Sequence, residues 1–449
     1  MFTTLAIAVT ALVWRYGAPA VRMPYFIYLG FYVLTTGIGG VALALTNGDL
    51  LETFEWGLDV SVLGDLNNLR YWALLYGPLL IPGIVIVLFQ DFRVVEYGIE
   101  TTLASYRDGL NCSTLLLVYL AFMAYCIAKL AMHGYLLGIT MWFTLQGDFL
   151  SMMVFRDTLV TTLGTLFFGL TYITLPMLSL CALYQFGKTR KMAWAALFLF
   201  MFGGNVFLSM TLVQKSPVII FMVFQGIACV EMKLIRWQGM IAMFCGIVGM
   251  LNLMQSFYLQ DWDYARSLNL MIFRMAHCYP YYMAVYPDVL PFGGIDLGLH
   301  LIGIGEASRD NFDVFKYMYP QITWVEGATP GPAHVRAYSQ GGEWFALFTL
   351  ALIGFALKAV GSLRGRINGP VSFAFYIQSL VFVYYLTQTS FREAILSCYG
   401  LFWAFIGIIP LVLFNQPPRE VPNPARTNRD LTPPVLSSPR RGRPVNALR

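Results

Sequence analysis

Eleven stretches of about twenty mostly apolar residues follow one another along this chain, and they constrain its fold more than any other feature. A helix of about that length spans the hydrocarbon core of a bilayer. The predicted spans are 2–18, 24–46, 71–90, 113–133, 158–186, 192–212, 217–235, 238–258, 344–363, 371–388 and 395–414. The span at 158–186 is long enough to tilt or break. Charged residues make up only 12% of the chain, against about a quarter in a soluble domain. The fold class expected is therefore an all-α polytopic membrane protein with one large, partly helical external loop. The first apolar run has no preceding Lys or Arg and no clear cleavage site after it, so it reads as a span rather than a leader.

The seven cysteines are scattered and show neither paired spacing nor a metal pattern. They read as small apolar packing residues. Asp261 with Asp263, and Asp310 with Asp313, are isolated carboxylate pairs and make weak ligand sets, so no metal and no cofactor is expected. The net charge of +5 does not signal nucleic acid. It sits in short loops and in the tail, where it sets topology.

The tail 415–449 carries seven arginines and many prolines without apolar periodicity, a composition that favours disorder. Excess Lys and Arg mark the cytoplasmic side. With the tail inside, the basic loops 15–23, 91–112, 187–191, 236–237 and 364–370 all fall inside too, and the acidic loop 47–70 falls outside. The predicted organisation is helices one to eight over 1–258, a large external loop over 259–342 with an amphipathic helix in it, helices nine to eleven over 343–414, and the disordered tail.

The loop from Leu259 to Gly342 is 84 residues long and holds His277, His300 and His334, three of the four histidines. A loop of that length without repeats is usually functional or disordered, and its Trp, Tyr and Phe content argues against disorder. The working site is expected where this loop meets the membrane. Within 268–285, Arg274, His277 and Tyr281 are spaced by three and four, which puts them on one helical face. The spans themselves hold almost no charge at mid-depth, which lowers the expectation of an ion-coupled carrier. The cations outside are the oddity: Lys215 in a tight turn, Arg274, Arg336 ahead of the next span, and Arg392 beside Glu393. Each opposes the positive-inside tendency. Basic side chains beside lipid suit a phosphate or pyrophosphate headgroup, which Arg binds bidentately and Lys as a point charge.

The order of these features resembles the bacterial oligosaccharide repeat-unit polymerases, the O-antigen and enterobacterial-common-antigen polymerase group of GT-C-type membrane glycosyltransferases. The resemblance covers roughly 200–414. It rests on Gln214-Lys215-Ser216-Pro217, on Phe273-Arg274-Met275-Ala276-His277, on the small-residue run from Gly327 through Gly342 into Trp344, and on Phe391-Arg392-Glu393-Ala394. The family's turn often carries Arg where this chain has Lys215, and residues 1 to about 200 match none of its motifs.

The resemblance implies a multi-pass protein of the bacterial inner membrane with a periplasmic loop and a cytoplasmic tail. It implies transfer of a growing glycan from undecaprenyl pyrophosphate to a repeat unit on the same lipid. Lys215, Arg274, Arg336 and Arg392 are expected at the pyrophosphate. His334 and Glu343 are the candidate bases, with His277 behind them, and Arg274 joins the catalytic group. Tyr281, Tyr282, Trp324 and His277 are expected to meet sugars, although an interfacial aromatic belt explains the tyrosines equally well. The bilayer and the lipid-linked oligosaccharide are the expected partners, and a chain-length regulator and a flippase stay open. Three alternatives also stay open: an O-antigen ligase, a lipid-linked oligosaccharide flippase and a non-catalytic scaffold.

Overall fold

The computed structural model describes residues 2–48, 58–89, 110–144, 149–212, 215–259, 274–296, 308–323 and 327–414. The described residues form helices and no strand. Six helices are long and apolar enough to cross a membrane: Pro19–Leu45, Leu69–Leu88, Cys112–Met132, Thr158–Thr189, Met192–Thr211 and Ala333–Arg364. Five shorter apolar helices, Phe2–Tyr16, Pro217–Glu231, Trp237–Met250, Pro370–Tyr385 and Phe402–Phe414, occupy the other predicted spans. The chain is thus an all-helical, multi-pass membrane protein. Among the described residues, six of the eleven predicted spans are both long and apolar enough to cross.

Local chemistry sets the helix ends. The Asn68 side chain accepts from Tyr71 N, and Asn111 accepts from Ser113 N, each satisfying an orphan donor of the first turn. The prolines at 19 and 370 stand in the first turns of their helices, where no intrahelical donor is lost. The long span predicted at 158–186 does break, at Gly164 (φ 75°, ψ 167°), and farther on a π-helical turn over Leu170–Thr174 widens the helix just before Pro176. A second π-helical turn, Val33–Gly37, interrupts Pro19–Leu45.

Small residues let the helices approach. A Cβ on Gly361 would lie 2.7 Å from the Val21 Cα, and one on Gly40 would meet the Leu75 side chain at 2.6 Å. That is how helices associate where lipid removes the hydrophobic drive between them.

The segment expected as an external loop is more structured than a loop. It contains the helix Arg274–Val285, the short helix Asp310–Met318, and the first two turns of Ala333–Arg364. The Arg274–Val285 helix is buried in a second hydrophobic cluster with Leu43, Tyr71, Leu75 and Tyr338. Tyr279 donates to the Tyr71 carbonyl (3.3 Å) and Tyr338 to the Tyr286 carbonyl (2.9 Å), so the segment is tied to the helices beneath it. Residues 260–273, 297–307, 324–326 and the predicted disordered tail 415–449 lie outside the described residues.

The start of the ninth predicted span differs for a specific reason. Gly341 and Gly342 do precede the span, but they separate it from a short helix over 333–340 rather than from a loop. Gly342 sits at φ 72°, ψ −164°, a region open essentially to glycine alone. A Cβ there would also press on the Phe292 ring at 3.2 Å. Gly342→Ala is expected to cost roughly 1–3 kcal/mol, read as a lowered midpoint of thermal unfolding in nanodiscs.

Candidate functional site

The Ala333–Arg364 helix begins just after Pro332, and its start is pinned to the turn that follows Tyr385. Gly331 N donates to the Gln388 carbonyl (3.1 Å) and Ala333 N to the Leu386 carbonyl (3.0 Å). Ser390 caps the next short helix, Phe391–Leu396, by accepting from Glu393 N. These two backbone arrangements bring Arg336 and Glu393 together although 57 residues separate them.

Arg336 is the centre of a buried ionic cluster. Its side chain is 2% exposed, and Asp310 beside it is 0% exposed. The guanidinium grips Asp310 with two bonds of 2.7 Å, from Nε and from Nη2. Nη1 and Nη2 each reach Glu393 at 3.2 Å. Asp310 also accepts from the Ser339 hydroxyl (2.6 Å) and the Ser308 hydroxyl (2.9 Å), and Glu393 accepts from the Thr389 hydroxyl. Arg392 forms the outer edge at 17% exposure, with Nη1 on Asp296 at 2.6 Å and Nη2 on Glu393 at 3.4 Å. Among the described residues, two arginines face three carboxylates, Asp296, Asp310 and Glu393.

Burial pushes the Asp310 carboxyl up, but the Arg336 guanidinium and the serine hydroxyls outweigh it and hold the group below its ordinary value. Glu393 follows the same balance: burial raises it, while Arg336, Thr389 and Arg392 bring it down overall.

The other sequence-predicted residues are spread around this cluster. Glu343 directly follows the helix break, 49% exposed, in an ion pair with Arg70 at 3.1 Å. Arg70 also donates to the Tyr338 hydroxyl at 3.3 Å. His334 is fully buried between Tyr32 and Tyr279, with ring centroids 5.8 and 6.4 Å away. Among the described residues the Leu74 backbone is the one polar group that acts on the ring, and neither nitrogen reaches ordinary hydrogen-bond geometry. His277, Tyr281 and Tyr282 are buried as well, and the Tyr282 hydroxyl donates to the Thr329 carbonyl at 2.9 Å. Arg274 and Lys215 are the first residues of their helices, and their side chains, like Trp324, fall outside the described residues.

The structure therefore brings together two of the four expected cations, Arg336 and Arg392. It places His334 in a closed aromatic pocket and Glu343 at an open edge. Arg336 is not a free cation, since four of its bonds go to carboxylates. Sequence spacing does not point to Asp296, Asp310, Ser308 and Ser339 as partners of the arginines. The available signal was electrostatic: a buried arginine in a chain this poor in charge requires carboxylates. Among the described residues no group of three or more His, Cys, Asp or Glu is placed to hold a metal ion.

No family model, no curated protein and no solved structure matches this chain.

Proposed function

We propose that this chain is a glycosyltransferase of the bacterial inner membrane that polymerises oligosaccharide repeat units carried on undecaprenyl pyrophosphate. The observation that carries this reading is the convergence of the Asp310–Met318 helix, the turns at 333–340 that hold Arg336, and the Arg392–Glu393 turn around one ionic cluster.

In the proposed reaction the acceptor hydroxyl oxygen attacks the anomeric carbon of the donor glycan. The bond from that carbon to the pyrophosphate oxygen breaks, and its electron pair leaves with the lipid pyrophosphate. Arg392, on the open side of the cluster, meets the developing negative charge, joined by Lys215 and Arg274. Glu343 takes the acceptor proton, being the candidate base with an open side chain. Arg336 positions Glu393 and Asp310 rather than touching the lipid. The eleven-span arrangement, with the 259–342 segment periplasmic and the tail cytoplasmic, belongs to this proposal.

Sidedness is testable directly. In a cysteine-free background, Arg309→Cys is expected to react with a membrane-impermeant maleimide in spheroplasts, and Lys188→Cys only after permeabilisation. The reverse pattern would remove the periplasmic site.

A flippase remains as a second reading because Gln225 and Gln378 are buried among the apolar helices, and neutral polar groups inside a bundle suit a transport path. Liposomes carrying a lipid-linked repeat unit separate the readings. A polymerase produces a ladder of extended glycans, a flippase moves the unit between leaflets without a ladder, and a ligase does neither without its own acceptor.

A further inference from the structure

The apolar surface of this chain does not stop where its membrane-crossing helices stop. The segment 289–295 reads Val-Leu-Pro-Phe-Gly-Gly-Ile, without a charged or polar side chain, between Asp288 and Asp296. It falls in the stretch 259–342 that the hydropathy pattern assigns to the external loop. Leu290 packs onto the second hydrophobic cluster, but Val289, Phe292 and Ile295 are exposed. A contiguous patch of bare apolar side chains marks a surface that meets a protein or a membrane.

Contacts fix the height of this segment on the molecule. The Phe292 ring packs edge-on against Tyr338, with centroids 5.8 Å apart, and a Cβ on Gly342 would lie 3.2 Å from it. Gly293 N donates to the Ser339 carbonyl at 3.0 Å, and Asp296 N to Gln340 Oε1 at 3.3 Å. The segment therefore lies beside 338–342. Two residues farther along stands Trp344, 83% exposed, and from there to Lys358 the helix carries no charge. A bare Trp at the head of an uncharged run marks the membrane–water interface. Leu347 and Phe348, also exposed, follow Trp344 at spacings of three and four on one helical face. The apolar segment thus sits at the level where the lipid-facing surface of this helix begins.

We propose that the 289–295 segment inserts into the bilayer leaflet on its side of the membrane, with Val289, Ile295 and the open edge of Phe292 against the upper acyl chains of phospholipid. Lipid, rather than a partner protein, is the occupant because the patch adjoins a surface that already meets lipid. The insertion is shallow: irregular backbone is tolerated at headgroup level but not deep in hydrocarbon, so a depth of about 5–10 Å is expected. Asp296 closes the segment and holds Arg392 at 2.6 Å. Insertion therefore sets one edge of the ionic cluster at headgroup level, where a lipid headgroup reaches Arg392 without leaving the membrane. This inference is independent of the glycosyltransferase reading and of which side of the membrane the segment faces.

The test uses the full chain in phosphatidylcholine liposomes and two photoactivatable probes. One is phosphatidylcholine with a diazirine near the ester end of an acyl chain, and the other is a diazirine-bearing glucose confined to water. Crosslinks are mapped by peptide mass spectrometry. The lipid probe is expected to label 289–295 as well as Leu347 and Phe348, and the glucose probe is expected to spare all of them. Val289→Asp combined with Ile295→Asp should lower lipid labelling of 289–295 by about tenfold, because an acidic side chain partitions poorly into lipid, and leave Leu347 and Phe348 labelled. The proposal is overturned if the lipid probe labels Leu347 and Phe348 while 289–295 reacts only with the glucose probe, as a water-exposed loop would, or with neither, as a segment covered by protein would. It is also overturned if the folded double variant takes up lipid label at 289–295 as the wild type does. Should that variant fail to fold, the wild-type comparison of the two probes decides alone.

Discussion

Replacing Arg336 with Leu is expected to cost about 3–5 kcal/mol of stability, measured as a large drop in the thermal midpoint of the protein in nanodiscs. The reason is the position of Asp310. Its side chain is wholly buried, and Arg336 supplies two of its hydrogen bonds at 2.7 Å. Without the guanidinium, a carboxylate is left inside the protein with only two serine hydroxyls for company. Arg336→Lys should recover part of the loss, because an ammonium restores the charge but not the two-point grip. Removing both partners, as Arg336→Met with Asp310→Leu, should cost less than Arg336→Leu alone, since no isolated charge remains on Asp310. Glu393 would still limit the recovery, because it also bonds Arg336.

The same cluster gives the protein an acid limit with a definite sign. Asp310 and Glu393 are held below their ordinary values in the folded state. Folding therefore favours their ionised forms. Their contribution is full above the ordinary carboxylate range of about 4 and is lost as pH falls below it, through the folded-state values. The thermal midpoint should be flat from neutrality to mild acid and then fall, with a shallower fall in Arg336→Leu.

The second large effect is catalytic. Arg392→Ala is expected to slow chain extension by about 100- to 1000-fold, the usual consequence of removing one donor from developing negative charge. Arg392→Lys should restore a part. The fold should persist better than in Arg336→Leu, because Arg392 is the more exposed of the two arginines and Arg336 still holds Glu393. Thermal unfolding of the same samples checks this. A loss of extension that tracks the loss of folded protein would assign Arg392 a structural role only.

The two kinds of structure in this chain differ in how far sequence could reveal them. Among the described residues, helices of crossing length stand at six of the predicted places and shorter apolar helices at the others, because a run of apolar residues carries that signal locally. Arg336 and Arg392 stood out for a similar reason, as single charges in the wrong place for a topology signal. Their partners did not, because Asp310 lies 26 residues from Arg336 and Glu393 lies 57 residues away. Such pairings depend on how the short helices Asp310–Met318 and Phe391–Leu396 pack, which periodicity does not encode.

His334 illustrates the cost of a misplaced boundary. Read as a loop residue, it has the chemistry of a base. The helix in fact begins at Ala333, and the extra turns carry His334 into contact with Tyr32 and Tyr279. The glycine pair that marked the loop's end is a hinge-like break within the helix, made possible by the backbone geometry of Gly342. Tyr281 and Tyr282 moved inward with the same packing, and their aromatic character serves the second hydrophobic cluster.

The most direct test of the glycosyltransferase account is stoichiometry. Purified protein in liposomes, supplied with a lipid-pyrophosphate repeat unit alone, should release one lipid pyrophosphate for every repeat unit joined, and Arg392→Ala should suppress both together. Leaflet transfer of intact lipid-linked units by well-folded protein, with neither extension nor release, would contradict it.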